Sequence, residues 1–185
     1  SMVIVPVGSD WDNNENLLGY PDALRQSEKI YWKPPNGALD LILRATRPEN
    51  RNRPFFLILD EMNLSHVERY FADFLSVMES GEALILHSMS GPLGENGEVP
   101  SSLNFPDNIF IIGTVNIDET TYLFSPKVLD RANTIEFQVS NSEMSQYFED
   151  IRDLNLTDIA GGGVRFGKAF VDASRLSNVG IEKLV

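Results

Sequence analysis

A chain of 185 residues with 15 basic and 27 acidic side chains carries a formal charge of −12; its 42% hydrophobic content and its length are those of one domain. The absence of cysteine excludes disulfides, thiolate zinc sites, iron–sulfur clusters and cysteine nucleophiles, and two histidines, His66 and His87, are too few for a histidine-rich metal site. The acidic excess without basic clusters argues against direct nucleic-acid binding, no apolar run nears the ~20 residues of a membrane helix, and no secretion signal precedes Val3, so a soluble, cytoplasmic location is expected.

The first apolar run, Val3 to Val7, reads as a strand. A polar turn cluster from Gly8 to Asn14 follows, and Gly19, Pro21, Pro34 and Pro35 keep the region before Asn36 a loop with at most short helices. Asn36 is placed to cap a helix in which Ala38, Leu41, Ile42 and Ala45 recur at helical spacing until Pro48 stops it. Phe55 to Leu59 is apolar throughout and predicts a central strand buried on both faces. Ser65 to Glu68 spells a capping box, and Val67, Tyr70, Phe71, Phe74, Leu75 and Met78 predict one helix ending near Gly81. Leu84 to His87 and Leu103 to Phe105 predict a hairpin whose Gly- and Pro-rich connection, Ser88 to Ser102, forms a mobile tip. A second buried strand, Ile109 to Thr114, precedes a short helix opened by Ser125 and Pro126 and a strand at Thr134 to Phe137. From residue 139 the character changes. Ser140 to Glu143 forms another capping box before the stripe Met144, Tyr147, Phe148, Ile151 and Leu154, and one more helix is expected after Gly167.

Short apolar runs alternating with helical segments predict an α/β fold with a mainly parallel sheet covered by helices, with a boundary near residue 138 between the core and a C-terminal helical segment over 139–185. Chemistry concentrates at Asp60 and Glu61, which end the most apolar run. Two carboxylates there either meet a cation and hydrogen-bond donors or face solvent. Asn116 follows the second apolar strand and serves equally as a turn former or as an amide facing a ligand. Arg131 is a surface arginine paired with Asp130 or Glu136, or a cation offered to an anion.

Leu57-Ile58-Leu59-Asp60-Glu61-Met62-Asn63 resembles a Walker B segment, Ile111-Ile112-Gly113-Thr114-Val115-Asn116 a sensor-1 strand, and Leu129-Asp130-Arg131 an arginine-finger region. In that order they resemble the AAA+ P-loop NTPases, within the group of McrB-type restriction GTPases, MoxR-like ATPases and dynein-related modules. Ser9-Asp10-Trp11 and Leu17-Leu18-Gly19-Tyr20 add to the likeness, which covers about residues 3–137. The resemblance implies a three-layer core and Mg²⁺ with ATP or GTP. Asp60 would hold the metal through water, Glu61 would be the catalytic base, Asn116 would contact the γ-phosphate, and Arg131 would be a finger presented to a neighbouring subunit. It further implies a ring of identical subunits and a macromolecular partner, such as the nuclease subunit of a restriction or defence system. A MoxR-like chaperone ATPase, or a non-hydrolysing interaction module on the same fold, would share these features.

Departures are informative. The McrB-type Met-Asn-Thr-Ala-Asp-Arg-Ser run corresponds here to Val115 to Thr121, which keeps Asn116 and loses the arginine, so the resemblance does not fix the base. Asn63, Asp118 and Glu119 lie near the motifs without a separable role. No phosphate-binding loop precedes Asp60, so these 185 residues by themselves are expected to bind nucleotide weakly or not at all and to be inactive. Gly162 to Ala169 fits G-x-x-x-x-G-K but has Ala169 where a hydroxyl should reach Mg²⁺, and it reads as a glycine connection before a helix. In the family the strand entering the phosphate loop pairs with the sensor-1 strand. Its absence leaves the edge of Ile109 to Thr114 open, to be filled by Thr134 to Phe137 or by another chain.

Overall fold

Burial alternates along the run Phe55–Asp60 in the computed structural model, with Phe55, Leu57 and Leu59 buried, Phe56 and Ile58 half-buried and Asp60 exposed. Residues 1–22, 24, 30–116, 121–149, 151, 157 and 161–176 are described. The first half contains β1 (Met2–Pro6), α1 (Glu15–Leu18), β2 (Tyr20–Pro21), β3 (Tyr31–Trp32), α2 (Ala38–Ala45), β4 (Phe55–Asp60), α3 (Val67–Tyr70) and α4 (Ala72–Ser80). It continues with β5 (Ala83–Ile85), β6 (Ser102–Asn104), β7 (Ile109–Gly113), α5 (Pro126–Leu129), α6 (Asn141–Glu149) and α7 (Gly167–Ser174). The fold is mixed α/β.

The main sheet has the order β1-β4-β7, all parallel, with Leu57 opposite Val3 on one side and Ile111 on the other. Parallel neighbours need crossovers. The chain between β1 and β4 includes α2, whose Ala38, Leu39, Leu41, Ile42 and Ala45 are buried, and the chain between β4 and β7 includes α3 and α4. One core cluster joins Val5, Leu57 and Leu59 of the sheet to Leu41, Ile42, Tyr70 and Phe74 of these helices. The opposite face is covered only in part. Phe170 of α7 packs on Phe56 and Phe110 with ring centroids 5.7 and 4.6 Å away, while Ile4 and Ile112 remain 55% and 45% exposed. The apolar run of β4 is therefore central, as expected, without being buried equally on both faces.

Several local expectations are corrected. The helix after Ser65 is broken at Phe71, whose φ of −110° and ψ of 8° separate α3 from α4. The break lets neighbouring rings enter one core: Phe71 stacks on Phe74 at 4.7 Å, and Tyr70 meets Trp11 edge-on at 5.4 Å. Ser65 is not the cap, because its hydroxyl donates to the Trp11 carbonyl at 2.6 Å and His66 takes the N-cap position. The second capping box does form, with the Ser140 N–H donating to Glu143 Oε2 at 2.8 Å and the Glu143 N–H to Ser140 Oγ at 3.3 Å. Asn36 acts one residue early, accepting the Ala38 N–H at 3.0 Å, while Gly37 caps α2 at a φ of 77° that glycine tolerates.

β5 and β6 form the expected antiparallel hairpin, but its connection is not a free tip. Leu93 and Val99 bridge each other and are buried, His87 Nε2 lies 3.2 Å from the Val99 carbonyl, and Glu98 pairs with Lys33 at 3.0 Å. Thr134 to Phe137 is not a strand: it is exposed and unpaired, so it does not move onto β7, whose outer edge carries no partner strand among the described residues. No residue of α6 is buried, and Leu154 of its predicted stripe lies outside the described residues. No described helix is long and apolar enough to cross a membrane.

The end of α7 is fastened by Arg175, which donates to both oxygens of Asp107, at 2.8 and 3.1 Å, and to the Arg51 carbonyl at 2.7 Å. Those charge-assisted bonds hold the Asp107 carboxyl below its ordinary value of 3.8. A carboxylate depressed in the folded state stabilises that state above its ordinary value, and the contribution disappears as pH falls through the lower folded value. The Phe170 ring resonances are therefore expected to hold from pH 7 down to about 4 and to move toward free-phenylalanine positions below it. A pH titration by NMR reads this, and Arg175→Ala should remove the dependence.

Candidate functional site

Parallel strands present their carboxyl ends together, and ligands of open α/β sheets bind in that crevice. Register Leu59 to Gly113 puts Asp60 next to Thr114. The Thr114 hydroxyl donates to Asp60 Oδ1 at 2.7 Å and accepts the Glu61 N–H at 2.9 Å, so one side chain orients both acidic residues. The ladder continues past the strands, with the Thr114 N–H donating to the Leu59 carbonyl at 3.0 Å and the Met62 N–H to the Thr114 carbonyl at 2.8 Å. A Cβ at Gly113 would press on the Met62 side chain, which would have to shift to admit it. On the other flank the Val7 N–H donates to the Asp60 carbonyl at 3.0 Å.

Glu61 has φ 52° and ψ 47°, and it is the sole non-glycine residue with positive φ among those described. Left-handed backbone at such a residue costs of order 1–3 kcal/mol and persists only where neighbours impose it. Here the Thr114 hydroxyl on its N–H and the turn Met62–Leu64 after it impose it. The conformation brings the Glu61 carboxylate within 3.4 Å of the Asn116 amide, which donates to Oε1. Asp60, Glu61 and Asn116 are all exposed, so the two acids are solvated at the strand end and not desolvated in the interior.

Sequence reasoning thus placed three of its four site residues at one edge. Arg131 is elsewhere: its guanidinium pairs with Glu79 at the end of α4 and donates to the Lys127 carbonyl at 2.6 Å, and neither Asp130 nor Glu136 is its partner. Asp118 and Glu119 lie outside the described residues. Lys168 pairs with Asp172 one turn along α7 at 2.6 Å, and a 3₁₀ turn, not a strand, leads into it, as the glycine-connection expectation holds. Thr114 and Asn63 were missed as parts of the edge, since their contacts span more than 50 residues and depend on the β4–β7 register.

No group of three or more His, Cys, Asp or Glu side chains that could by itself hold a metal occurs among the described residues. One strand-end carboxylate beside open space suits Mg²⁺ shared with phosphates, since that ion keeps several waters and takes only one or two carboxylates from a protein. No protein-family model matches the chain, and no curated protein matches it. The likeness to AAA+ NTPases therefore rests on the motif residues of the sequence alone.

Proposed function

We propose that this chain is the Walker B to arginine-finger part of an AAA+ nucleoside triphosphatase, and that Asp60, Glu61 and Asn116 form the metal- and water-handling half of its Mg²⁺-nucleotide site. One observation carries the proposal: at two parallel strand ends the Thr114 hydroxyl holds the Asp60 carboxylate and the Glu61 N–H, and the Asn116 amide donates to the Glu61 carboxylate. Bound Mg²⁺ would draw charge from the terminal phosphates. Asp60, already held by Thr114, would be the residue that holds the metal, through water. Glu61 would accept a proton from the water that attacks the γ-phosphorus, Asn116, able to donate and to accept, would line up that water, and the bond to the bridging oxygen would break with the nucleoside diphosphate as leaving group. The loop cradling the phosphates has to come from polypeptide beyond these residues.

Arg131 serves as the finger in a ring of copies, which requires it to leave Glu79 on assembly; its Nε is buried with no hydrogen-bond partner, so the pairing leaves a donor unused. Hydrolysis coupled to remodelling or translocation of a macromolecular partner, in a McrB-like defence system or a MoxR-like chaperone, is the corresponding role. The test is steady-state hydrolysis of ATP and GTP by the full-length protein with and without Mg²⁺. Metal-dependent turnover of either nucleotide is expected. The solvent exposure of both acids favours one rival, a non-hydrolysing interaction module on the same fold, and an inactive wild type would select it.

A further inference from the structure

Asn63 is 4% exposed, a level at which a polar side chain has to justify its place with hydrogen bonds. Its Nδ2 donates to the Asn116 carbonyl at 2.8 Å and to the Tyr122 carbonyl at 3.3 Å, and its own carbonyl accepts the Tyr122 N–H at 2.9 Å. One residue thereby grips the chain on both sides of 117–120. Tyr122 is seated as well, its ring 3.8 Å from that of His66. The Asn63 Oδ1 atom is buried with no partner, a cost that an aliphatic residue would avoid.

We infer that Asn63 is a positioning residue for hydrolysis: it fixes the Asn116 backbone so that the Asn116 amide faces Glu61. This rests on the nucleotide reading of the same edge. The bond that depends on it is the long one, Asn116 Nδ2 to Glu61 Oε1 at 3.4 Å, where a small shift of the backbone makes or breaks contact. Because Asn63 lies two residues after Glu61 in the turn Met62–Leu64, acid and amide are referenced to one rigid element. Misplacing a water-orienting group lowers turnover without loosening a nucleotide held through its phosphates and metal.

Asn108 provides a matched control. It is 1% exposed, and its Nδ2 donates to the carbonyls of Asn50 at 2.9 Å and Arg53 at 3.0 Å, at the opposite end of the same strand pair. In the full-length protein, Asn63→Ala and the size-matched Asn63→Asp, which cannot donate to the carbonyls, are expected to lower kcat about 10²-fold with KM for Mg²⁺-nucleotide nearly unchanged. Asn108→Ala should lower Tm by a similar amount to Asn63→Ala and leave kcat in place. Unchanged kcat in both Asn63 variants beside an active wild type would overturn the assignment alone. So would a kcat loss equalled by Asn108→Ala. A wild type without hydrolysis would overturn the nucleotide reading and this role with it.

Discussion

Glu61→Gln is expected to reduce hydrolysis by about 10²–10⁴-fold in the full-length protein while leaving Mg²⁺-nucleotide binding nearly intact. Glutamine has the size of glutamate and retains an oxygen to accept the Asn116 amide, so the edge geometry survives. What it loses is the basic site that takes the proton from water. The left-handed backbone at this position is imposed by Thr114 and the following turn, and these are untouched by the substitution. Comparing kcat with nucleotide affinity reads the effect. An unchanged rate removes Glu61 from the chemistry, and a parallel loss of binding indicates that the acid holds the metal instead.

The largest stability effect is expected at Phe74. Its side chain is 0% exposed, stacks on Phe71 with planes 5° apart, and meets Phe105 edge-on at 5.8 Å, so truncation empties a space in the core beside these two rings. Phe74→Ala should cost about 3–5 kcal/mol, a large share of the ~5–15 kcal/mol that stabilises a typical domain. For a chain of this size that lowers Tm by about 6–20 °C, measured by far-ultraviolet circular dichroism. Phe137→Ala supplies the contrast. That ring is 92% exposed, and its loss should change stability by less than ~0.5 kcal/mol.

Phe74 and Phe137 also show what a sequence pattern can and cannot settle. Phe55–Asp60, Ile109–Gly113 and Ala38–Ala45 were legible because continuous apolar runs or a helical period leave each element one way to bury its side chains. Ile135, Phe137 and Val139 alternate with polar residues as a strand should, yet they stay 78%, 92% and 66% exposed. Alternation makes a strand only where a sheet edge accepts it, and acceptance depends on long-range partners. The ribbon of β2 and β3 escaped notice for the opposite reason, since strands of two residues carry no period. Its stacked Tyr20 and Trp32, 5.2 Å apart, mark it only once folded.

The site divides along the same line. Asp60, Glu61 and Asn116 were visible as polar residues following apolar runs, each at a position local sequence defines. Thr114 was hidden inside a strand, and its service to both acids follows from pairing Leu59 with Gly113. Arg131 was visible as a charge, but Glu79 as its partner was not, because their meeting depends on tertiary packing, in which α5 lies against α3 with Val128 buried.

The most direct test of the metal- and water-handling edge is paramagnetic broadening by Mn²⁺ in the NMR spectrum of this 185-residue chain, recorded with and without millimolar ATP or GTP. Broadening registers even a sparsely occupied site, so weak phosphate binding suffices. Nucleotide-dependent broadening centred on Asp60, Glu61, Thr114 and Asn116, abolished by Asp60→Asn, is the expected result. Broadening spread over the acidic surface, or unchanged in Asp60→Asn, would contradict it.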